Sequence, residues 1–184
     1  MIGAAKVARR YAKALLDIGR EEGKYLEYGR ELGKFVKLCE ATPELLGVLS
    51  SKIIPSQDRM RILNTILEKT HFSEVTKKFL QVLLDKERIG FLKDVNSYYT
   101  KLCDELEGIV RARVKTAFPL KKKSVERLNE VLNQFTGKKV IMEVSEAPEL
   151  IGGVVVQIGD FVIDGSIKTQ LEGLKESLKR GGYK

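Results

Sequence analysis

One histidine, two cysteines and no long apolar run limit what this 184-residue chain can do. His71 has no second imidazole and no close cysteine pair beside it, so a zinc site lacks ligands and none is expected. It reads as a loop residue near a helix start. No serine sits in a nucleophile-elbow motif or has a histidine base, which excludes acyl transfer by the usual route. No stretch approaches the roughly 20 consecutive apolar residues of a membrane-spanning helix, so the chain is not expected to cross a bilayer by itself. Cys39 and Cys103 fall on apolar faces of predicted helices. The simplest reading is a pair of core thiols in a reducing compartment, with a disulfide between them the less favoured alternative. The early charged stretch has no apolar core or small-residue cleavage site after it, so no secretory signal is expected. Lys6, Arg9, Arg10 and Lys13 imitate an organelle transit peptide, but Asp17, Glu21 and Glu22 follow at once and the helical pattern continues through them.

Phosphate-binding motifs are also missing. Gly152-Gly153 and Gly159 resemble a glycine-rich loop, yet Val154-Val155 stand where a P-loop needs lysine and a hydroxyl residue. A dinucleotide fingerprint needs its glycines between strand and helix, and these lie before and within a predicted hairpin. No nucleotide cofactor is expected. Asp104, Glu105 and Glu107 are a carboxylate cluster, but neighbouring positions on a helix point in different directions, so they read as a solvated helix end.

What the chain has is charge and periodicity. Hydrophobic residues make up 43% and charged residues 32%, which suits a packed core under a polar surface. The length allows one larger domain or two small ones. The net charge of +8 favours acidic partners or an anionic surface. It is divided between the halves, 19 basic against 16 acidic residues up to Glu107 and 14 against 9 beyond it. Lys121-Lys122-Lys123, with Arg111, Arg113, Lys115, Lys138 and Lys139, make a candidate nucleic-acid patch. The second half has few aromatics and no RNA-binding fingerprint, so a solvated loop is the preferred account.

From Val7 to Glu107 the apolar period is helical. Val7, Tyr11, Ala14, Leu15 and Ile18 share a face, flanked by a basic stripe of Lys6, Arg9, Arg10, Lys13 and Arg20, and Gly23 closes the helix. A second helix aligns Tyr25, Leu32, Phe35, Val36 and Cys39 despite Gly29 and Gly33. Thr42 is expected to cap a short helix opened by Pro43. Pro55-Ser56 restarts the chain into a stripe of Met60, Leu63, Ile66 and Leu67. Ser73 is expected to cap a fifth helix carrying Val75, Phe79, Val82, Leu83 and Leu84. Gly90 ends that region, and Leu92, Val95, Tyr99, Leu102 and Leu106 mark a sixth. Short connections imply an antiparallel six-helix bundle over residues 1–107.

At Gly108 the period becomes two. Val110, Ala112, Val114, Thr116 and Phe118 alternate with Arg111, Arg113 and Lys115. A helix from about Ser124 to Phe135 and a strand through Val140, Met142 and Val144 follow. Gly152-Gly153 then opens a hairpin turned at Gly159-Asp160. Its second strand, ending at Asp164, passes through Gly165-Ser166 into a helix with Ile167, Leu171, Leu174 and Leu178 on one side. Asp164 is placed to accept backbone N–H bonds at that helix start, and residues 181–184 read as a frayed end. The expected fold is two-domain: an all-α bundle over 1–107 and a small α+β domain over 108–184.

Three stretches carry a family resemblance: Ala8-Arg9-Arg10-Tyr11-Ala12-Lys13-Ala14-Leu15, Glu87-Arg88-Ile89-Gly90-Phe91-Leu92 and, most specifically, Gly153 to Leu174. With the order of elements, they resemble the delta subunit of F-type ATP synthase and its mitochondrial counterpart, the oligomycin-sensitivity-conferring protein. Arg10 stands where family members often have proline. The resemblance implies a non-catalytic stator with no cofactor, linking the alpha/beta catalytic head to the b subunits of the peripheral stalk. It implies a groove between helices one and five for an alpha-subunit N-terminal segment, here offering Tyr11, Ala14, Leu15 and Ile18 with Val75, Phe79 and Val82, edged by Arg10 and Lys78. It implies that the last domain meets the stalk, with Lys168, Lys175 and Lys179 as candidate contacts. Gly152, Gly153, Gly159, Asp160, Asp164, Gly165 and Ser166 would be its structural signature. Association with the membrane would come only through the complex, at the cytoplasmic face of a bacterial plasma membrane. The rival readings are a basic RNA-binding or ribosome-associated adaptor and an enzyme, the latter lacking a convergent cluster of titratable residues.

Overall fold

The computed structural model describes the backbone of residues 2–181 and the side chains of residues 5–179. Gly182, Tyr183 and Lys184, expected at a frayed end, lie outside the described residues, whereas Gly181 is the last residue of a helix. Contacts divide the chain into two compact units, Met1–Leu106 and Glu107–Lys184.

The first unit is helical: α1 (Ile2–Glu21), α2 (Tyr25–Ala41), α3 (Pro43–Ser50), α4 (Ser56–Glu68), α5 (Glu74–Asp85), a 3-10 turn (Ile89–Phe91) and α6 (Leu92–Leu106). Its core is the sum of the apolar stripes, from Ala8, Ala12 and Leu15 of α1 through Leu32 and Phe35 of α2 to Leu92, Val95 and Tyr99 of α6. Cys39 and Cys103 are buried in it and are not joined in a disulfide. Gly29, unexplained by helix propensity, has a packing reason: a Cβ there would stand 3.0 Å from the Tyr99 ring. The ring can therefore lie against α2, and its hydroxyl donates to the Tyr25 carbonyl at 2.8 Å.

Polar ties between distant segments fix how these helices meet. Ser73 caps α5 as its position implies, accepting from the Thr76 N–H at 3.3 Å. It also donates its own N–H and hydroxyl to the two carboxylate oxygens of buried Glu31, at 2.7 and 2.6 Å, which bolts the start of α5 to α2. Past the other end of α5, the Arg88 N–H reaches the Leu83 carbonyl and the Glu87 N–H reaches that of Leu84. This helix-ending motif normally places glycine in the left-handed position, and here Glu87 occupies it at φ 52°. Its carboxylate lies 3.6 Å from the guanidinium of buried Arg59, which donates to the Leu49 carbonyl at 3.3 Å. One arginine thus joins α3, α4 and the end of α5. Thr42 departs from expectation: it holds the capping position of α3, but its side chain makes no capping bond there.

The second unit contains β1 (Ile109–Thr116), α7 (Lys122–Thr136), β2 (Lys139–Glu146), a 3-10 turn (Pro148–Leu150), β3 (Val154–Ile158), β4 (Phe161–Asp164) and α8 (Ile167–Gly181). The sheet order is β2-β1-β3-β4, with β1 and β2 parallel and the other pairs antiparallel. The parallel pair requires a crossover, and α7 supplies it. Leu128 and Leu132 pack on Ala112, Val114, Val140 and Val156, while the opposite sheet face carries Arg111, Arg113 and Lys115. The Asn133 side chain accepts from the Val140 N–H at 2.6 Å and pins the helix end to β2. Phe118, expected inside the first strand, lies beyond it and is largely exposed, because β1 ends where its partner does at Glu146. The described elements form a mostly helical chain with a C-terminal α/β part, as anticipated at that level of detail.

Candidate functional site

Helices α1 and α5 meet through an aromatic pair. The rings of Tyr11 and Phe79 lie 6.5 Å apart in edge-to-face geometry, an arrangement their quadrupoles favour. The Arg10 guanidinium sits 5.3 Å from the Tyr11 ring centre and covers it from the solvent side. On either side of this pair, Ala14 and Ile18 of α1 and Val82 of α5 are exposed, Val75 is half-buried, and Arg10 and Lys78 reach solvent at the edges.

A helix turns about 100° per residue, so Ala14 and Ile18 fall on one side of Tyr11 and the buried set Ala8, Ala12, Leu15 and Leu16 on the other. Helix α5 repeats the division about Phe79, with Val75 and Val82 outward and Thr76, Leu80, Leu83 and Leu84 inward. Both aromatics stand on the boundary between core and surface. Leu15 is corrected by this geometry. It lies about 40° to the core side of Tyr11 and is fully buried, so it belongs to the core and has no surface to offer a partner. Lys86 was not singled out: it follows the end of α5, two turns beyond Phe79, and pairs with Asp85 at 3.0 Å. The pairing with Asp85 raises its pKa. The helical repeat from Phe79 was the signal that would have found it.

The signature of the second unit is built as a joint. Gly152 and Gly153 run beside Gly165 to Ile167: the Gly165 N–H donates to the Val154 carbonyl at 2.9 Å, and the Ile167 N–H to that of Gly152 at 3.0 Å. Gly153 has φ +78°, and a Cβ on it would fall 2.1 Å from the Gly165 oxygen. Gly159 opens the two-residue turn with φ +57°. Asp164 accepts from the Ser166 N–H at 2.8 Å and from the Thr169 hydroxyl at 2.9 Å, and buried Ser166 caps α8 through the Thr169 N–H at 3.2 Å. Donors from Ser166 and Thr169 hold the Asp164 carboxyl below its ordinary range.

Beyond that joint the second unit leaves apolar surface uncovered. Besides the lysine side, α8 exposes Ile167, Leu171, Leu174 and Leu178. Phe135 of α7 and Phe161 of β4 are likewise exposed, at the rim of a cavity of about 260 Å³. A second cavity, about 660 Å³, runs along α2 beside Lys69 to Phe72 and includes His71. The Glu31 carboxylate in its wall is already taken by Ser73. Among the described residues no group of three His, Cys, Asp or Glu side chains is arranged to hold a metal, and no helix is long and apolar enough to cross a membrane.

Comparison with known proteins points one way. The sequence profile of the ATP synthase delta (OSCP) subunit matches residues 7–178. The ATP synthase subunit delta of Desulfatibacillum aliphaticivorans is 48% identical over 175 residues, covering 95% of this chain and 96% of its own. That of Geobacter metallireducens is 42% identical over 175 residues, with 95% and 97% covered. A chain in the cryo-EM structure of the Toxoplasma gondii mitochondrial ATP synthase hexamer superposes with a TM-score of 0.72 at 17% identity, over 93% of this chain and 96% of that one, which shows a shared fold.

Proposed function

The chain belongs to the ATP synthase delta (OSCP) subunit family, and from that premise we propose how it serves as the non-catalytic stator subunit of an F-type ATP synthase. The helical unit caps the catalytic head by holding an N-terminal segment of an alpha subunit between α1 and α5. The second unit engages the b subunits of the peripheral stalk. Held at both ends, the alpha/beta head does not turn with the central rotor, and torque is spent on conformational change at catalytic sites elsewhere. The chain itself transfers no proton and turns over no nucleotide. Its place is peripheral, reached through the complex, on the cytoplasmic face of a bacterial membrane.

The observation that carries the groove assignment is the Tyr11–Phe79 contact. It joins two helices whose outward apolar residues Ala14, Ile18 and Val82 continue on both sides of it, with cations at the edges. Helix-in-groove recognition asks for an apolar floor and charged rims of this kind. The RNA-adaptor alternative draws nothing from the basic sheet face: Arg111 lies 3.8 Å from Glu143, and no aromatic side chain stands beside Arg111, Arg113 and Lys115 on β1 to stack on a base.

The test is calorimetric titration of the chain with a peptide of the alpha-subunit N-terminus from the same source. Saturable one-to-one binding at moderate salt is expected, weakened about tenfold or more by Phe79→Asp and by the exposed-site variant Ile18→Asp. Unchanged affinity in both variants would place the groove elsewhere. Absent peptide binding, together with salt-sensitive binding to RNA, would favour the adaptor.

A further inference from the structure

The larger cleft of the helical unit, about 660 Å³, lies between α2 and the connection from α4 to α5. Arg30, Lys34 and Leu38 follow one another at single helical turns along one wall, and Lys69, His71 and Phe72 line the other. All of these are exposed except Phe72, which is half-buried against the core. Several cations elsewhere on this unit are paired: Arg61 with Asp58, Lys77 with Glu74, Lys86 with Asp85 and Lys93 with Glu40. Among the described residues, Arg30, Lys34, Lys69 and His71 make no ion pair and no side-chain hydrogen bond. Two carboxylates share the cleft. Glu31 is buried in its wall with both oxygens taken by Ser73, and half-buried Glu27 precedes it by one turn. The rim is thus cationic and unpaired, over an apolar patch of Leu38 and Phe72. Such a surface is complementary to a segment that carries carboxylates beside an apolar residue. The rise from Arg30 to Lys34, about 6 Å, equals that between residues four apart on a partner helix. From Glu27 to Leu38 the cleft follows α2 for about 16 Å, more than a small ion fills and enough for a helix to lie along it. A second copy of this chain is a poor occupant. It brings a further net charge of +8, and Asp104 and Glu107 of its carboxylate cluster already have partners within the chain.

We propose that this cleft is a second docking site, separate from the α1–α5 groove, for an acidic amphipathic helix of a partner protein. Carboxylates four residues apart on that helix meet Arg30 and Lys34 on one wall and Lys69 on the other, and an apolar side chain seats on Leu38 and Phe72. Glu31 positions the site without touching the partner. Its bonds to Ser73 hold the start of α5, and with it the segment carrying His71 and Phe72, against α2. None of these residues belongs to the α1–α5 groove, so the site stands or falls independently of it.

The probe is a capped helical peptide of repeated Glu-Ala-Ala-Leu, titrated into the full isotope-labelled chain and followed by amide NMR shifts. Saturable shifts are expected at Arg30, Lys34, Leu38 and residues 69–72, with affinity falling as salt rises. The double variant Lys34→Glu/Lys69→Glu is expected to bind about tenfold or more weakly. Its thermal midpoint should not move, because neither lysine has a partner within the chain to lose. Leu38→Asn should weaken binding at high salt as well as low, since the contact it removes is apolar. The same peptide with glutamine in place of glutamate should not bind measurably. Absent binding of the glutamate peptide, or equal binding of the glutamine one, would overturn the proposal. Shifts confined to Ala14, Ile18 and Val82 would give the peptide to the α1–α5 groove and overturn it too. A single-stranded RNA oligomer that bound these same residues more tightly than the peptide would assign the cleft to nucleic acid instead.

Discussion

Replacing Gly153 by alanine tests the joint at the root of α8. Two separate effects add. An alanine at φ +78° costs about 1–2 kcal/mol for its left-handed backbone alone. Its Cβ would also fall 2.1 Å from the Gly165 oxygen, so the strand carrying Gly153 and the segment leading into α8 must part. That movement strains the hydrogen bonds from Gly165 to Val154 and from Ile167 to Gly152, each with a net contribution of about 1 kcal/mol. The sum, about 3–4 kcal/mol, is a large share of what a unit of this size has in total. Gly159→Ala separates the two effects, since φ is +57° there but nothing lies within 4 Å of the added Cβ. Urea unfolding gives the readout, because Tyr11, Tyr25, Tyr28, Tyr98 and Tyr99 all lie in the helical unit. Tyrosine fluorescence follows mainly that unit, while circular dichroism at 222 nm follows both. With an m-value of about 1–2 kcal/mol/M, the later-unit transition of Gly153→Ala should move down by on the order of 2 M, and that of Gly159→Ala by less than about half as much. Equal shifts in the two variants would refute the steric part of the argument, because only the shared backbone strain would remain.

Two further outcomes are expected. Leu15→Ala should lower the thermal midpoint of the helical unit by on the order of 10 °C through loss of a fully buried leucine, whereas Ile18→Ala should leave it nearly unchanged; similar melting of the two variants would deny the division of α1 into core and groove sides. Asp164 titrates at lower pH in the folded chain than in the unfolded one, so its contribution is complete above the unfolded carboxylate range near pH 4 and is lost as pH falls through the lowered folded value. Acid unfolding of the second unit should therefore be shallower in Asp164→Asn than in the wild type, and identical acid profiles by circular dichroism would sink the capping role.

Much of the fold was legible because it depends on local repeats. The change of period at Gly108, from helical to alternating, separates the two parts wherever their side chains finally pack. Ser73 and Asp164 were readable for the same reason: a cap and a strand-to-helix junction involve neighbours in sequence. Glu31 and Arg59 were not. Each is a charged residue buried beside an apolar stripe, Glu31 next to Phe35 and Arg59 next to Leu63, because its partner, Ser73 for one and Glu87 for the other, arrives from a distant segment.

The exposed apolar faces of α1 and α8 mark the same border. Tyr11, Ala14, Leu15 and Ile18 all belong to one apolar stripe in sequence, and a stripe records only that a face avoids water. About 40° of rotation separates Leu15 in the core from its outward neighbours, and only the packing of α2 and α6 against α1 decides on which side of that line each residue falls. On α8 the sequence by itself determined an amphipathic helix with leucines at heptad spacing. The tertiary structure decided that the described residues of the second unit leave them exposed, because hydrophobic burial is non-directional and a repeat does not encode whether the covering surface comes from within the unit or from elsewhere.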